Sequence, residues 1–79
     1  MSRHLHEIAQ DICQHWPKMY FGAVPYVKAM FELESINDMY YQDSAEEIVL
    51  RFLVNAGTWR GEKAREIKSE LRTLLKEVR

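Results

Sequence analysis

The sequence predicts an all-α fold, a compact bundle of four helices plus one short helical turn, and three observations carry that reading. Apolar residues recur at intervals of three and four in four separate stretches, no stretch alternates with period two long enough to build a sheet, and Ser, Pro and Gly stand where helices start and stop. A chain of 79 residues with 47% hydrophobic and 29% charged side chains makes one such domain, over residues 1–79, and not two.

The first helix carries Leu5, Ile8, Ala9, Ile12 and Trp16 at helical spacing, with Ser2 as its cap. Pro17 ends it near His15 or Trp16, because proline disfavours the α conformation in the residue before it and has no amide hydrogen to donate. Met19, Tyr20, Phe21 and Gly22 follow as an apolar connection, which predicts a segment lying under other structure. A second helix has Pro25 in its first turn and buries Tyr26, Val27, Met30, Phe31 and Leu33, with Lys28 and Glu32 paired on its outer side. Ser35 with Asp38 has the form of a capping box and places the short turn over Ile36 to Tyr40.

The third helix has the clearest start, Ser44-Ala45-Glu46-Glu47, where the serine oxygen can accept the Glu47 amide while the Glu47 carboxylate reaches back to the Ser44 amide. Ala45, Ile48, Val49, Phe52, Leu53 and Ala56 form its stripe, flanked by Leu50 and Val54, so it is the most buried element. Gly57 takes the left-handed position after it and Thr58 caps the next helix. Ala64, Ile67, Leu71, Leu74 and Val78 then trace the narrow seam of a helix that packs lengthwise on another.

A net charge of -1 argues against a chain that coats nucleic acid by bulk charge, but it hides an asymmetry. Residues 60–79 hold seven basic and four acidic groups, whereas six carboxylates and no basic residue lie between Glu32 and Glu47. On the fourth helix Arg65, Lys68, Arg72, Lys76 and Arg79 fall on one side of the seam. Such a stripe reads as a solvated flank, as a face that meets the acidic belt of this chain or of a second copy, or as an anchor for phosphate. With Arg60 and Lys63, the residues Arg65, Lys68, Arg72 and Lys76 are the candidate anion-binding set. Gly57-Thr58-Trp59-Arg60-Gly61-Glu62-Lys63 puts two of these cations at the helix amino end, where amides attract anions, or simply folds Trp59 onto the core. Acids distributed along the fourth helix argue against its reading a nucleic-acid groove.

His4, Glu7, Asp11 and His15 share one face of the first helix and could present donors to a metal, yet imidazoles and carboxylates at this spacing pair with each other in water without one. His4 and His6, two apart, point to opposing sides of a helix. The expectation is therefore no metal and no cofactor. Cys13, the one cysteine, can form no internal disulfide, which fits a reducing cytoplasm; late in its helix it reads as packing, since the dipole there opposes a thiolate. Paired CxxC zinc ligands, nucleophile elbows, phosphate-binding glycine loops, a secretion signal and apolar runs long enough to cross a bilayer are all absent from the sequence, so an enzyme is not expected and neither is a membrane protein.

Aromatic residues are the more informative group. Trp16, Phe31 and Phe52 lie on helical stripes and read as core, whereas Tyr20, Phe21, Tyr26, Tyr40, Tyr41 and Trp59 gather at helix ends and connections. Rings with a polar handle are favoured at protein interfaces, and a domain this small buries only about 63% of its surface. These six residues and the exposed part of the fourth-helix seam are the candidate contact surface for a homodimer or larger assembly.

Tyr20-Phe21-Gly22-Ala23-Val24-Pro25-Tyr26, Asp43-Ser44 before an apolar helix, and Thr58-Trp59-Arg60-Gly61 leading into Ala64-x-x-Ile67-Lys68-x-Glu70-Leu71 together resemble a group of short helical proteins from bacteria and their phages. The resemblance spans Ile8 to Leu75. It implies an accessory protein that works by binding something else and assigns no residue a role. Tyr41 stands where a turn glycine is expected.

Overall fold

Helix α1 spans Leu5–His15 and turns Leu5, Ile8, Ala9 and Ile12 inward, as its apolar spacing requires. Its entrance is built by His4, whose extended backbone precedes the helix and whose amide donates to the Glu7 carboxylate at 2.8 Å. The next two amides, of Leu5 and His6, donate to the carbonyls of Glu34 and Leu33 at 2.9 and 3.0 Å, so three donors of the first turn are satisfied. The helix stops before Pro17, as expected. The computed structural model describes residues 3–77; Ser2 as a cap, Val78 in the seam and Arg79 in the basic stripe lie outside the described residues.

A single 3-10 turn over Phe21–Ala23 runs into α2, Val24–Met30, with Pro25 in its first turn. The helix ends at Met30, three residues before Leu33, the last residue of the apolar pattern. Leu33 is still buried, but Phe31 is 44% exposed, so the expectation that Phe31 is core is corrected: it keeps a helical backbone with its amide bonded to the Val27 carbonyl at 3.2 Å, and its ring borders an open depression beside Cys13, Trp16 and Met19 that no further element covers. The connection after Pro17 is also less covered than expected, since Met19 packs against the core while Tyr20 and Phe21 face outward.

The short turn placed over Ile36 to Tyr40 is not helical. Asp38 donates its amide to the Ser35 carbonyl, and its carboxylate accepts the amides of Glu34 and Ser35 at 2.9 and 3.1 Å. A minimal antiparallel hairpin follows, β1 (Met39–Tyr40) with β2 (Asp43–Ser44), Met39 opposite Ser44 and Tyr40 opposite Asp43. Tyr41 opens its two-residue loop at φ +56°, the left-handed conformation for which a glycine is expected.

Ser44 caps α3, Ala45–Val54, by accepting the Glu47 amide at 3.1 Å. Asn55 closes that helix, donating its side-chain amide to the Arg51 carbonyl at 2.8 Å. Gly57 is not left-handed; that conformation falls on Gly61, at φ +114°, ahead of α4, Glu62–Glu77. Helix α2 packs on α1 and α3, and α4 packs on the same two helices. The result is the four-helix all-α bundle with one short helical turn, with Phe52, Leu5, Ile8, Ile12, Met30, Leu33, Ile67, Leu71 and Val49 as its fully buried centre. A radius of gyration of 11.3 Å matches the about 11.6 Å expected for this length. Among the described residues no helix is long and apolar enough to cross a membrane.

Candidate functional site

The candidate contact residues divide. Tyr20, Phe21 and Tyr41 are exposed, Tyr26 and Tyr40 are half-buried against the core, and Trp59 is enclosed at 4% exposure. Trp59 therefore leaves the contact surface: its indole stacks on Trp16 and its Nε1 donates to the His15 carbonyl at 3.2 Å. The seam of α4 leaves it too, because Ala64, Ile67, Leu71 and Leu74 are all buried within the chain. Met39, Leu50 and Val54 join the exposed apolar group, and sequence spacing gave no sign of Met39.

Two small depressions adjoin these side chains. Pro25, Tyr26, Ala29, Tyr40, Ile48 and Arg51 line one of about 160 Å³ between α2 and α3. Partial desolvation, then the charges of Glu32 and Tyr41, push the Tyr40 hydroxyl above its ordinary pKa, so at neutral pH it is a neutral hydrogen-bonding group at the rim. Cys13, Trp16, Met19, Val24, Val27 and Phe31 line a wider, more open one of about 320 Å³. Cys13 is exposed rather than packed away, and partial burial pushes its thiol up, away from the thiolate a nucleophile needs.

The six candidate cations do not act as one set. Lys63 turns toward α1 and lies 3.4 Å from the Asp11 carboxylate and 3.9 Å from Glu66. Arg60, Arg65 and Lys68 instead line a depression of about 260 Å³ with Gly57, Trp59, Gly61 and Ala64. Lys68 donates to the Trp59 carbonyl at 2.7 Å, and desolvation, then the charges of Arg72 and Arg60, lower its pKa. Arg72 and Lys76 continue along the exposed side of α4. None of these five cations makes an ion pair with the acidic belt among the described residues.

On α1 imidazole and carboxylate come together at one end, His15 Nδ1 lying 2.9 Å from Asp11 Oδ1, while the hydrogen bond of that nitrogen is with the Asp11 carbonyl at 2.9 Å. Asp11 also takes Arg3 at 3.0 Å, while Arg3 grips Glu70 of α4 through two bonds of 3.0 and 2.6 Å. At the other end the spacing argument against His4 and His6 fails. It assumes both residues are helical, whereas His4 is the extended residue before the helix; the two rings stack with centroids 5.2 Å apart, and Glu34 joins them. Donor atoms of His4, His6 and Glu34 all lie within 4.8 Å of one another. Comparison of the chain with protein-family models, with curated proteins and with solved structures yields no match.

Proposed function

We propose that this chain is a small non-enzymatic interaction protein, a cytoplasmic accessory factor of bacterial or phage origin, whose first partner is a second copy of itself. The observation that carries the reading is the exposure of Phe21 at 79%, Tyr41 at 84% and Val54 at 81%, three large side chains that the small core leaves in water. Charge complementarity favours a second copy as the occupant. Each chain presents the cations Arg60, Arg65, Arg72 and Lys76 and, separately, the carboxylates between Glu32 and Glu47, and the two groups do not neutralise each other within one chain among the described residues. Two chains related by a two-fold axis can satisfy both at once.

Sedimentation equilibrium from about 5 to about 500 µM tests this, in low and high salt. A mass that doubles with concentration, less readily at high salt and less readily in Phe21→Ser, is expected. A monomer throughout the range overturns the proposal.

A second reading rests on the depression lined by Arg60, Arg65 and Lys68, three cations side by side, where an anion would offset the charges of Arg72 and Arg60 that bear on Lys68. Trp59 fluorescence reports it: inorganic phosphate should change the emission of the native chain and leave Arg65→Gln unchanged. Binding to a nucleic-acid strand at about 50 mM salt, lost steeply as salt rises, would place the phosphates on a polymer instead.

A further inference from the structure

We propose that His4, His6 and Glu34 form a binding site for one divalent transition-metal ion of the zinc class, at the junction between the entrance of α1 and the segment that leaves α2. One nitrogen from each imidazole and one oxygen of the Glu34 carboxylate already lie within 4.8 Å of one another. Bonds of about 2.0–2.2 Å to a tetrahedral ion set its donors about 3.4 Å apart, so side-chain rotations that bring the donors about 1 Å inward and turn the two imidazoles out of their stack, so that both ring planes point at the ion, complete the set.

The main chain beneath these side chains is fixed. Leu5 donates its amide to the Glu34 carbonyl at 2.9 Å and His6 donates to the Leu33 carbonyl at 3.0 Å, so all three donor residues stand on one hydrogen-bonded frame. Neighbouring acids already have tasks: Glu7 accepts the His4 amide, and Asp38 accepts the amides of Glu34 and Ser35. The Glu34 carboxylate makes no ion pair among the described residues and is available to a cation. A helix amino end ordinarily repels a cation, but here the carbonyls of Leu33 and Glu34 and the Glu7 carboxylate cover its first amides.

Donor chemistry sets the class of ion. Two imidazoles with one carboxylate favour Zn²⁺, Co²⁺, Ni²⁺ or Cu²⁺ over Mg²⁺ and Ca²⁺, which prefer sets made of oxygen. Three protein donors leave one tetrahedral position to water, since His4 and Glu34 are exposed and His6 is half-buried. A bound ion ties the first turn of α1 to the chain beyond α2, a clip in a domain that has no disulfide to serve as one.

Titration of Zn²⁺, and separately Co²⁺, into the untagged chain tests the site by calorimetry, by the visible spectrum of Co²⁺ and by thermal unfolding. One ion per chain and a rise in Tm of about 5 °C at saturating Zn²⁺ are expected, with no rise in Mg²⁺. His4→Ala and Glu34→Gln both keep the main-chain bonds; each should weaken binding at least about tenfold, the loss seen even when an outer-shell partner of a metal ligand is removed. The double variant Cys13→Ser/His15→Ala, which alters the other soft donors of α1, should bind as the native chain does. Absence of both heat and a Tm change at about 1 mM Zn²⁺ overturns the proposal. So does binding that survives in both His4→Ala and Glu34→Gln, or that is lost only in the double variant.

Discussion

The indole rings of Trp16 and Trp59 stack with centroids 5.2 Å apart and planes 6° from parallel, and Phe52 closes both edge-on at 6.3 and 6.5 Å. This stack joins the end of α1 to the linker that enters α4, and the Trp59 Nε1 bond to the His15 carbonyl fixes its register.

Trp59→Ala removes one ring of the stack and leaves a cavity, so it should cost about 3–5 kcal/mol, a large part of the stability of a domain this size. Trp59→Phe keeps an aromatic ring and forfeits the hydrogen bond to His15 along with some packing area, and should cost less. Urea unfolding followed by circular dichroism ranks the two; equal stability of native chain and Trp59→Ala would refute a structural role for the stack.

Asp11 should make part of the stability pH-dependent. Burial pushes its carboxyl up, but hydrogen bonds from Arg3 and Lys63, together with their charges, outweigh burial and hold the pKa below its ordinary value. A carboxyl that is more acidic in the folded state contributes stability above its unfolded pKa of about 3.9 and loses it as pH falls through the folded value. Asp11→Asn should therefore cost about 1 kcal/mol at pH near 7 and progressively less below about pH 4. Parallel stability profiles for the two chains across that range would contradict it.

Tyr41 holds a left-handed backbone that costs a side chain about 1 kcal/mol. Tyr41→Gly relieves that cost, gives some back through the freer unfolded chain and the lost contact with the Tyr40 ring at 4.7 Å, and should be neutral to about 0.5 kcal/mol stabilising. Tyr41→Val should destabilise by about 1 kcal/mol or more, because branching at Cβ suits this conformation least. Denaturation midpoints in the reverse order would count against the hairpin geometry.

Gly22 has room for a side chain only if Tyr20 and Asn55 move. An added Cβ meets Tyr20 Cε2 at 2.6 Å and Asn55 Oδ1 at 2.9 Å, and Asn55 is the residue whose amide closes α3. Gly22→Ala should cost about 1–2 kcal/mol through displacement of both side chains. Gly57→Ala, where nothing lies within 4 Å, should change stability little, and its unfolding curve is the internal comparison.

What the sequence makes legible follows from physical range. Three-four spacing exposes α1 and α4 directly, because Leu5, Ile8, Ala9 and Ile12, and Ala64, Ile67, Leu71 and Leu74, are all buried on one side. Ser44 before Glu47 locates the start of α3 through a contact only three residues long. Strands of two residues have no period to detect, so the hairpin from Met39 to Ser44 leaves no pattern beyond the loop position of Tyr41. Phe31 continues the spacing of α2 and keeps its helical bond to Val27 yet stands 44% exposed, because spacing marks a face of a helix and not whether another element covers it. Glu34 comes beside His4 and His6 because the Leu5 amide donates to its carbonyl and the His6 amide to that of Leu33, tertiary bonds that no local rule encodes.

The carbonyls of Leu33 and Glu34 that receive the amides of His6 and Leu5 have a kinetic consequence. Fraying of the α1 amino end breaks bonds to a segment distant in sequence, so neither stretch can open alone. Leu5 and His6 should exchange their amide hydrogens as slowly as the segment that holds them opens, giving the first turn of α1 the protection of an interior position.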